Sequence, residues 1–377
     1  MLDFSFTPSQ EEYRQTLRRL ALEKLLPRYA EGDEERYPHE QIREISAFAE
    51  EFWRGREDEW DLITCGITAE EVARGDFNCV LPSLGRPYHS QFLADFSPAQ
   101  HERWSDDLAT GREMIALAIT EPDAGSDMAK LSARAERRGD GWVIHGVKNS
   151  VSFLDAGVFY VFARTDPKAS GWQGISGFLV PRDTPGLSFD PYDDLGCRAI
   201  PRGTLRMEGV EVPGDAMVGP PGTAFVRISR FFDVNRAVIG LKCIGAALQS
   251  VAETMEYAGK REAFGRPLSA NQGVTFPLAE GVTYLDHARL GCYRVLWMRQ
   301  SGIPCQHEGA MVKWWAPKTA AEVIHKCLTL RGHYGYSKAL PLQQRLRDVI
   351  GWQIGDGAEE VMKLLVVREL GTGVATS

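Results

Sequence analysis

Thr120-Glu121-Pro122-Asp123-Ala124-Gly125-Ser126-Asp127, entered by the apolar run Ile115-Ala116-Leu117-Ala118-Ile119, decides how the rest of the chain is read. A strand that ends in Thr and runs through Pro into Gly-Ser-Asp turns sharply, and it aims hydroxyls and free backbone N–H groups at one point. Such a turn can hold a phosphate or the polar edge of an aromatic ring. By itself it is only a polar turn, so its weight depends on the segments around it.

Upstream the pattern is helical. Ser9-Gln10-Glu11-Glu12 reads as a capping box, and Tyr13, Leu17, Leu20 and Ala21 follow at helical spacing. Similar patterns continue to Pro98 through Gly111, where the glycine stops a helix. Residues 1–112 are expected to form an α-helical domain. From Glu113 the period shortens, with β-rich runs at 114–119, 131–136, 142–147, 157–164, 174–180 and 203–212 divided by turn residues. An antiparallel β domain is expected over 113–220. Long helical patterns return at 223–258, 274–300, 308–330 and 358–370, and four such helices with short links predict a bundle over 221–377. The fold class is thus α+β, mainly α.

The 377 residues are enough to bury a cofactor, and 44% hydrophobic with 25% charged residues is ordinary for a soluble globular protein. A net charge of -8 repels nucleic acid and anionic membranes, so a phosphate-bearing ligand must be met by local basic residues. Seven scattered cysteines without a C-x-x-C pair fit a reducing cytoplasm. No window approaches a membrane span in length, and the first residues lack a basic segment followed by an apolar one. The expectation is a soluble cytoplasmic protein.

A second constellation gives the turn its meaning. Arg261-Glu262-Ala263-Phe264-Gly265-Arg266-Pro267-Leu268, with Gln272 and with Gly332-His333-Tyr334-Gly335-Tyr336, joins 117–126 in a pattern that resembles the flavin site of the acyl-CoA dehydrogenases. The order α, β, α-bundle is similar to that family from Phe4 to about Leu370. The resemblance implies FAD, an acyl-CoA substrate and an electron-transfer flavoprotein as acceptor. It places Leu117, Ile119, Thr120, Gly125, Ser126, Ser150 and Ser152 at the cofactor, with Gly332 and Ala358. Arg261, Phe264 and Gln272 match residues that reach the FAD of a neighbouring subunit, which implies a homo-oligomer, usually a tetramer. Thr329 and His333 stand where the family has glutamine and a second glycine. His325 and His333 lack a carboxylate or cysteine framework, so no metal site is expected.

The family's base is a glutamate before the last helix, and counting back from Arg368-Glu369-Leu370 without a gap puts Asp356 of Gly355-Asp356-Gly357-Ala358 in its place. A carboxylate there takes the α-proton of an acyl thioester, provided that the site excludes water and donors stabilise the enolate. An Asp between two glycines also reads as a plain turn residue. The other family position for a base corresponds to Asn235, whose amide cannot act as one. Asp233 and Arg236 match CoA contacts and equally make a simple i,i+3 helix pair, while Ser126 and Gly357 border the substrate. Gly355 replaces the family's usual tyrosine and Ser150 its flavin-side tryptophan, and both swaps open space. Asp is also shorter than Glu by roughly 1.5 Å. A cyclic or α-branched acyl group fits these departures, as in cyclohexanecarboxyl-CoA dehydrogenases. Between Phe48 and Leu81 the family's Gly-Leu-Leu-Gly and Pro-Glu-Glu-Tyr-Gly-Gly runs are missing. An acyl-carrier-protein dehydrogenase, an oxidase and a catalytically silent binding homologue are the alternatives.

Overall fold

In the computed structural model, which describes residues 4–29, 33 and 39–371, the first helix, α1 (Pro8–Lys24), is capped from Thr7. Thr7 Oγ1 accepts from the Gln10 N–H at 3.2 Å and Gln10 Oε1 accepts from the Thr7 N–H at 3.1 Å. The capping box expected at Ser9–Glu12 therefore lies two residues earlier. Pro8 explains the shift, because its fixed φ and missing N–H suit the first helical position.

Contact density divides the chain into two units. One holds residues 1–87, 195–199 and 233–377, and the other 88–194 and 200–232. The first unit is helical. It contains α1, α2 (His39–Trp53) and α3 (Leu62–Gly75), the last capped by Asp61, which accepts from the Thr64 N–H at 2.9 Å. Helices α4 (Gly85–Leu93) and α5 (Pro98–Ala109) follow in the chain, and Gly111 takes a φ of 65° just past α5, as its place in the sequence predicts. In the segment where the family runs are missing, Phe48, Phe52 and Trp53 pack on Tyr13, whose hydroxyl pairs with Thr68 Oγ1 at 3.0 Å.

The long helices are α6 (Ala224–Lys260), α7 (Gln272–Gln300), α8 (Gln306–Leu330), the short α9 (His333–Tyr336), α10 (Leu342–Ile354) and α11 (Glu359–Glu369). Two glycines set how closely α6 packs: a Cβ at Gly240 would lie 2.5 Å from Cys292 Sγ of α7, and one at Gly245 2.1 Å from the Glu70 carbonyl of α3. Helix α10 is an addition to the four expected. Its buried face includes Gln344, Arg345 and Asp348 beside Leu342 and Val349, so hydrophobic periodicity does not reveal it.

The second unit carries a mixed sheet, with β1 (Ile115–Ala118), β2 (Arg134–Arg138), β3 (Gly141–Ser152), β4 (Val158–Arg164), β5 (Ile175–Pro181), β6 (Leu187–Pro191), β7 (Arg202–Val212) and β8 (Met217–Val218). The path runs β6-β7-β3-β2-β4-β5-β8, and β1 pairs with β4 off that path. Most joints are antiparallel, as expected. The correction is at β4, which pairs parallel with β1 and with β2. A parallel partner needs a crossover connection, and the β2–β3 excursion between β1 and β4 supplies it. Strand β6 was not among the expected runs. It is a short, largely exposed strand at one end of the path and ends in Pro191, which suits an edge.

Candidate active site

In the sheet unit, β1 leads through Ile119 and Thr120 into a turn closed by reciprocal bonds between Glu121 and Ala124, N to O at 3.0 and 3.2 Å. The Glu121 side chain folds beneath it. Its carboxylate accepts from Ala133 N at 2.9 Å, Ser132 Oγ at 2.7 Å and Lys148 Nζ at 2.7 Å. Lys148, fully buried, also donates to the Ile119 carbonyl at 3.1 Å. Burial raises the Glu121 carboxyl, but Lys148 and the N–H donors outweigh it and hold the group below its ordinary range. Burial pulls the Lys148 ammonium down against the counter-pull of Glu121.

Strand β3 loses register between Lys148 and Val151, and Ser150 there takes a φ of 57°. Such a bulge re-aims side chains. The Asn149 N–H donates to the Thr120 carbonyl at 2.8 Å, which brings Thr120 and Ser150 to one corner. The hydroxyls of Thr120, Ser126, Ser150 and Ser152 make no hydrogen bond among the described residues, and a Cβ at Gly125 would meet open space. Ile119 is buried and Leu117 half-buried, giving an apolar shoulder beside those hydroxyls. That donor set fits the polar edge and phosphates of a flavin cofactor.

In the helical unit, Asp356 stands between α10 and α11 with a φ of 54°, in the left-handed region that aspartate enters more readily than most non-glycine residues. Asn235 Nδ2 of α6 donates to its Oδ2 at 2.9 Å. Asp356 itself is exposed. Gly357 has a φ of 116°, and a Cβ there would fall 2.6 Å from Met362 Cε. Next to Asn235 in the chain, Arg236 Nη1 meets Asp233 Oδ1 at 3.1 Å, so the plain i,i+3 pair is present. Arg236 is nonetheless buried, with an Nε that makes no hydrogen bond among the described residues. Burial lowers the Arg236 guanidinium and raises the Asp233 carboxyl, each against the pull of the other. Ala358 is the N-cap of α11.

The segment after α6 forms a hairpin, Glu262–Ala263 against Arg266–Pro267, whose two loop residues Phe264 and Gly265 both have positive φ, 54° and 78°. Those signs match the type I′ turn that suits a two-residue hairpin, with an aromatic ring where glycine or asparagine is usual. The Phe264 ring is fully exposed, and Arg261, Gln272 and Gly332 face solvent as well. Among the described residues none of the four makes a hydrogen bond or ion pair with the Asp356 loop.

Sequence reasoning missed the buried lysines. Lys313 of α8 donates to the carbonyls of Trp352 at 2.8 Å and Gly357 at 2.9 Å, and Lys242 of α6 lies 3.3 Å from the centre of the Trp352 ring. A signal existed for Lys313, because it shares the helical face of the small residues Gly309, Ala310, Ala316 and Ala320.

Residues 116–210 match the family model for the acyl-CoA dehydrogenase middle domain and residues 225–371 the model for the C-terminal domain. The short-chain specific acyl-CoA dehydrogenase of Bos taurus mitochondria is 31% identical over 366 residues, which span 95% of this chain and 89% of that protein. The chain belongs to the acyl-CoA dehydrogenase family. It is accordingly an FAD-dependent oxidoreductase that dehydrogenates acyl-CoA. Among solved acyl-CoA dehydrogenase relatives, butyryl-CoA dehydrogenase from Megasphaera elsdenii superposes with a TM-score of 0.90 at 28% identity, covering 98% of this chain and all (100%) of that one. A chain from the structure of the electron-transferring flavoprotein of Acidaminococcus fermentans gives a TM-score of 0.89 at 25% identity, covering 98% and 99%. No described helix is long and apolar enough to cross a membrane.

Proposed function

We propose that this acyl-CoA dehydrogenase acts on a cyclic or α-branched acyl-CoA, with Asp356 as the base that takes the α-proton. The hydrogen bond of 2.9 Å between Asn235 and Asp356 carries the reading. The two positions at which the family resemblance allows a base are neighbours in space, and Asp356 brings the carboxylate. The amide of Asn235 holds Oδ2 and leaves Oδ1 open to receive the proton. Bound FAD supplies the acceptor for the hydride that leaves the β-carbon as the α,β double bond forms. Asp356 is exposed in the isolated chain, so shielding its carboxylate from water falls to the bound thioester and cofactor.

Gly355 supports the choice of acyl group. Its φ of -62° and ψ of 148° suit any residue, and a Cβ there would meet nothing nearer than the Gly351 carbonyl at 3.5 Å. Neither backbone nor packing demands glycine, so its smallness makes room. A ring held close to a short base also meets the limit on reach, since a misplacement of about 1 Å costs on the order of a hundredfold in rate.

Thr120, Ser126, Ser150 and Ser152, with Leu117, Ile119 and Gly125, are assigned to FAD on the sheet side. Asp233, Arg236, Ser126 and Gly357 are assigned to the CoA thioester, and the unpaired Arg236 Nε favours an anionic ligand. Arg261, Phe264 and Gln272 are assigned to the FAD of a neighbouring subunit in a tetramer, while Gly332 and Ala358 complete the cofactor set. The exposed Phe264 at a strained hairpin tip supports donation in trans. The boundaries 1–112, 113–220 and 221–377, a cytoplasmic location and electron-transfer flavoprotein as acceptor belong to the same proposal.

Anaerobic mixing of the holoenzyme with straight, branched and cyclic acyl-CoAs tests it. Cyclic or branched thioesters should bleach the flavin fastest, and Gly355→Tyr should slow them at least tenfold relative to butyryl-CoA without moving Tm. A wild-type preference for straight chains overturns the substrate reading.

A further inference from the structure

Asp356 sits in a loop that passes through two positive φ angles, a left-handed aspartate followed by a glycine at φ 116°. Both residue types enter that region readily, so the aim of the carboxylate is set by what holds the loop's ends. The restraint is visible at its two ends. The Lys313 ammonium, wholly out of solvent, donates to the Trp352 carbonyl in the last turn of α10 and to the Gly357 carbonyl just past Asp356, at 2.8 and 2.9 Å. One group thus closes the loop between the carbonyls that flank the carboxylate. Trp352 is held a second time, because Lys242 Nζ lies 3.3 Å from its ring centre and 4.4 Å from that of Phe77.

Burying an ammonium is costly unless it is well bonded, and the geometry here returns two charge-assisted bonds and a favourable helix C-terminus. A merely space-filling residue at this point of α8 would be apolar, like Ala316 and Ala320 on the same face. Resting on the reading of Asp356 as base, we infer that Lys313 is a positioning residue for proton abstraction, fixing the loop that aims Asp356 without touching the substrate itself.

Holoenzyme carrying Lys313→Met, which keeps the length and loses both bonds, tests this beside Asp356→Asn. In anaerobic stopped-flow experiments with saturating acyl-CoA, Lys313→Met should reduce its flavin about a hundredfold more slowly, the effect of roughly 1 Å of misplacement. The isotope effect from α-deuterated substrate should rise, while FAD content and the Kd of the thioester stay as in wild type. A normal rate in Lys313→Met overturns the inference. So does a rate loss matched by lost FAD or lost thioester affinity, which marks a structural role. If Lys313→Met does not fold, Lys313→Gln, which retains a donor for one carbonyl, should show the same split; failure of both to give holoprotein also counts against positioning. Normal flavin reduction in Asp356→Asn removes the base reading instead, whatever Lys313→Met does.

Discussion

Lys148 of the sheet unit and Lys313 of the helical unit are both buried ammonium groups, each beneath a turn of its own unit, yet the first ends on the carboxylate of Glu121 and the second on two peptide carbonyls. At the Thr120 turn the charge is cancelled where it arises, and Glu121 is further saturated by Ser132 and Ala133. At the Asp356 loop burial pulls Lys313 down to about 8, and the charge of Asp356 is the leading influence that pushes it back. A neutralised pair makes a rigid platform. An ammonium bonded to the two carbonyls that flank a carboxylate ties the loop's geometry to that side chain.

The largest expected break in that comparison is at Asp356. Asp356→Asn keeps the volume and the Asn235 contact but loses the proton acceptor, so flavin reduction should fall by about 10³-fold or more while FAD stays bound. Asp356→Glu sharpens the point, because a longer base should crowd a ring and slow its reaction relative to wild type, while admitting thinner thioesters. Stopped-flow reduction of both variants decides, and faster turnover of a cyclic substrate by the Glu variant would sink the argument from reach.

Next in size is Lys148→Met, which leaves Glu121 buried without its cation. A loss of ~3–5 kcal/mol is expected, softened by the remaining N–H donors, and Lys148→Met combined with Glu121→Gln should recover part of it. Thermal unfolding of the single and double variants measures this. Lys313→Met should lose less stability than Lys148→Met and far more rate; the reverse order would erase the distinction between the two lysines.

The smallest effect concerns a buried carboxyl that has no ion-pair partner among the described residues. Burial, reinforced by Asp348, pushes Asp76 up to about 7, although the Asn78 N–H donates to it at 2.8 Å. A carboxyl raised on folding stabilises most below its unfolded pKa of about 4 and loses that contribution as pH rises through 7. Asp76→Asn should therefore raise Tm by roughly 3–6 °C at pH 8 and much less at pH 5. Equal gains at both values would show that the Asp76 carboxyl does not change its ionisation between them.

Much of the fold and of the site is legible in the sequence, and where it is not, a physical cause can be named. The Thr120 turn and the long helices follow from local chemistry, turn residues and sustained helical periods, whereas the hairpin after α6 was not expected. Helix α10 escaped because Gln344, Arg345 and Asp348 occupy positions where an apolar stripe was sought. Pro8 moved the first cap. The contact between Asn235 and Asp356 joins residues far apart in sequence, which no local pattern encodes, although family resemblance had named both. The buried lysines were the deepest omission, since a lone lysine in a helix normally reads as a surface residue.

Residues 195–199 lie between β6 and β7 in the chain but pack with the helices. Cys197 N donates to Asp348 Oδ1 at 2.6 Å, and Gly196 fits so closely on α10 that a Cβ would fall 2.4 Å from the Arg347 carbonyl carbon. Asp348 also receives the Tyr29 hydroxyl at 2.7 Å and the Asn78 amide at 3.1 Å. A gene fragment cut at 113 and 220 would carry this clip away with the sheet, stripping a buried acid of one of its donors. For anyone grafting a foreign middle domain into this scaffold, the practical seam is interrupted, and the five-residue clip has to be left behind with its helix.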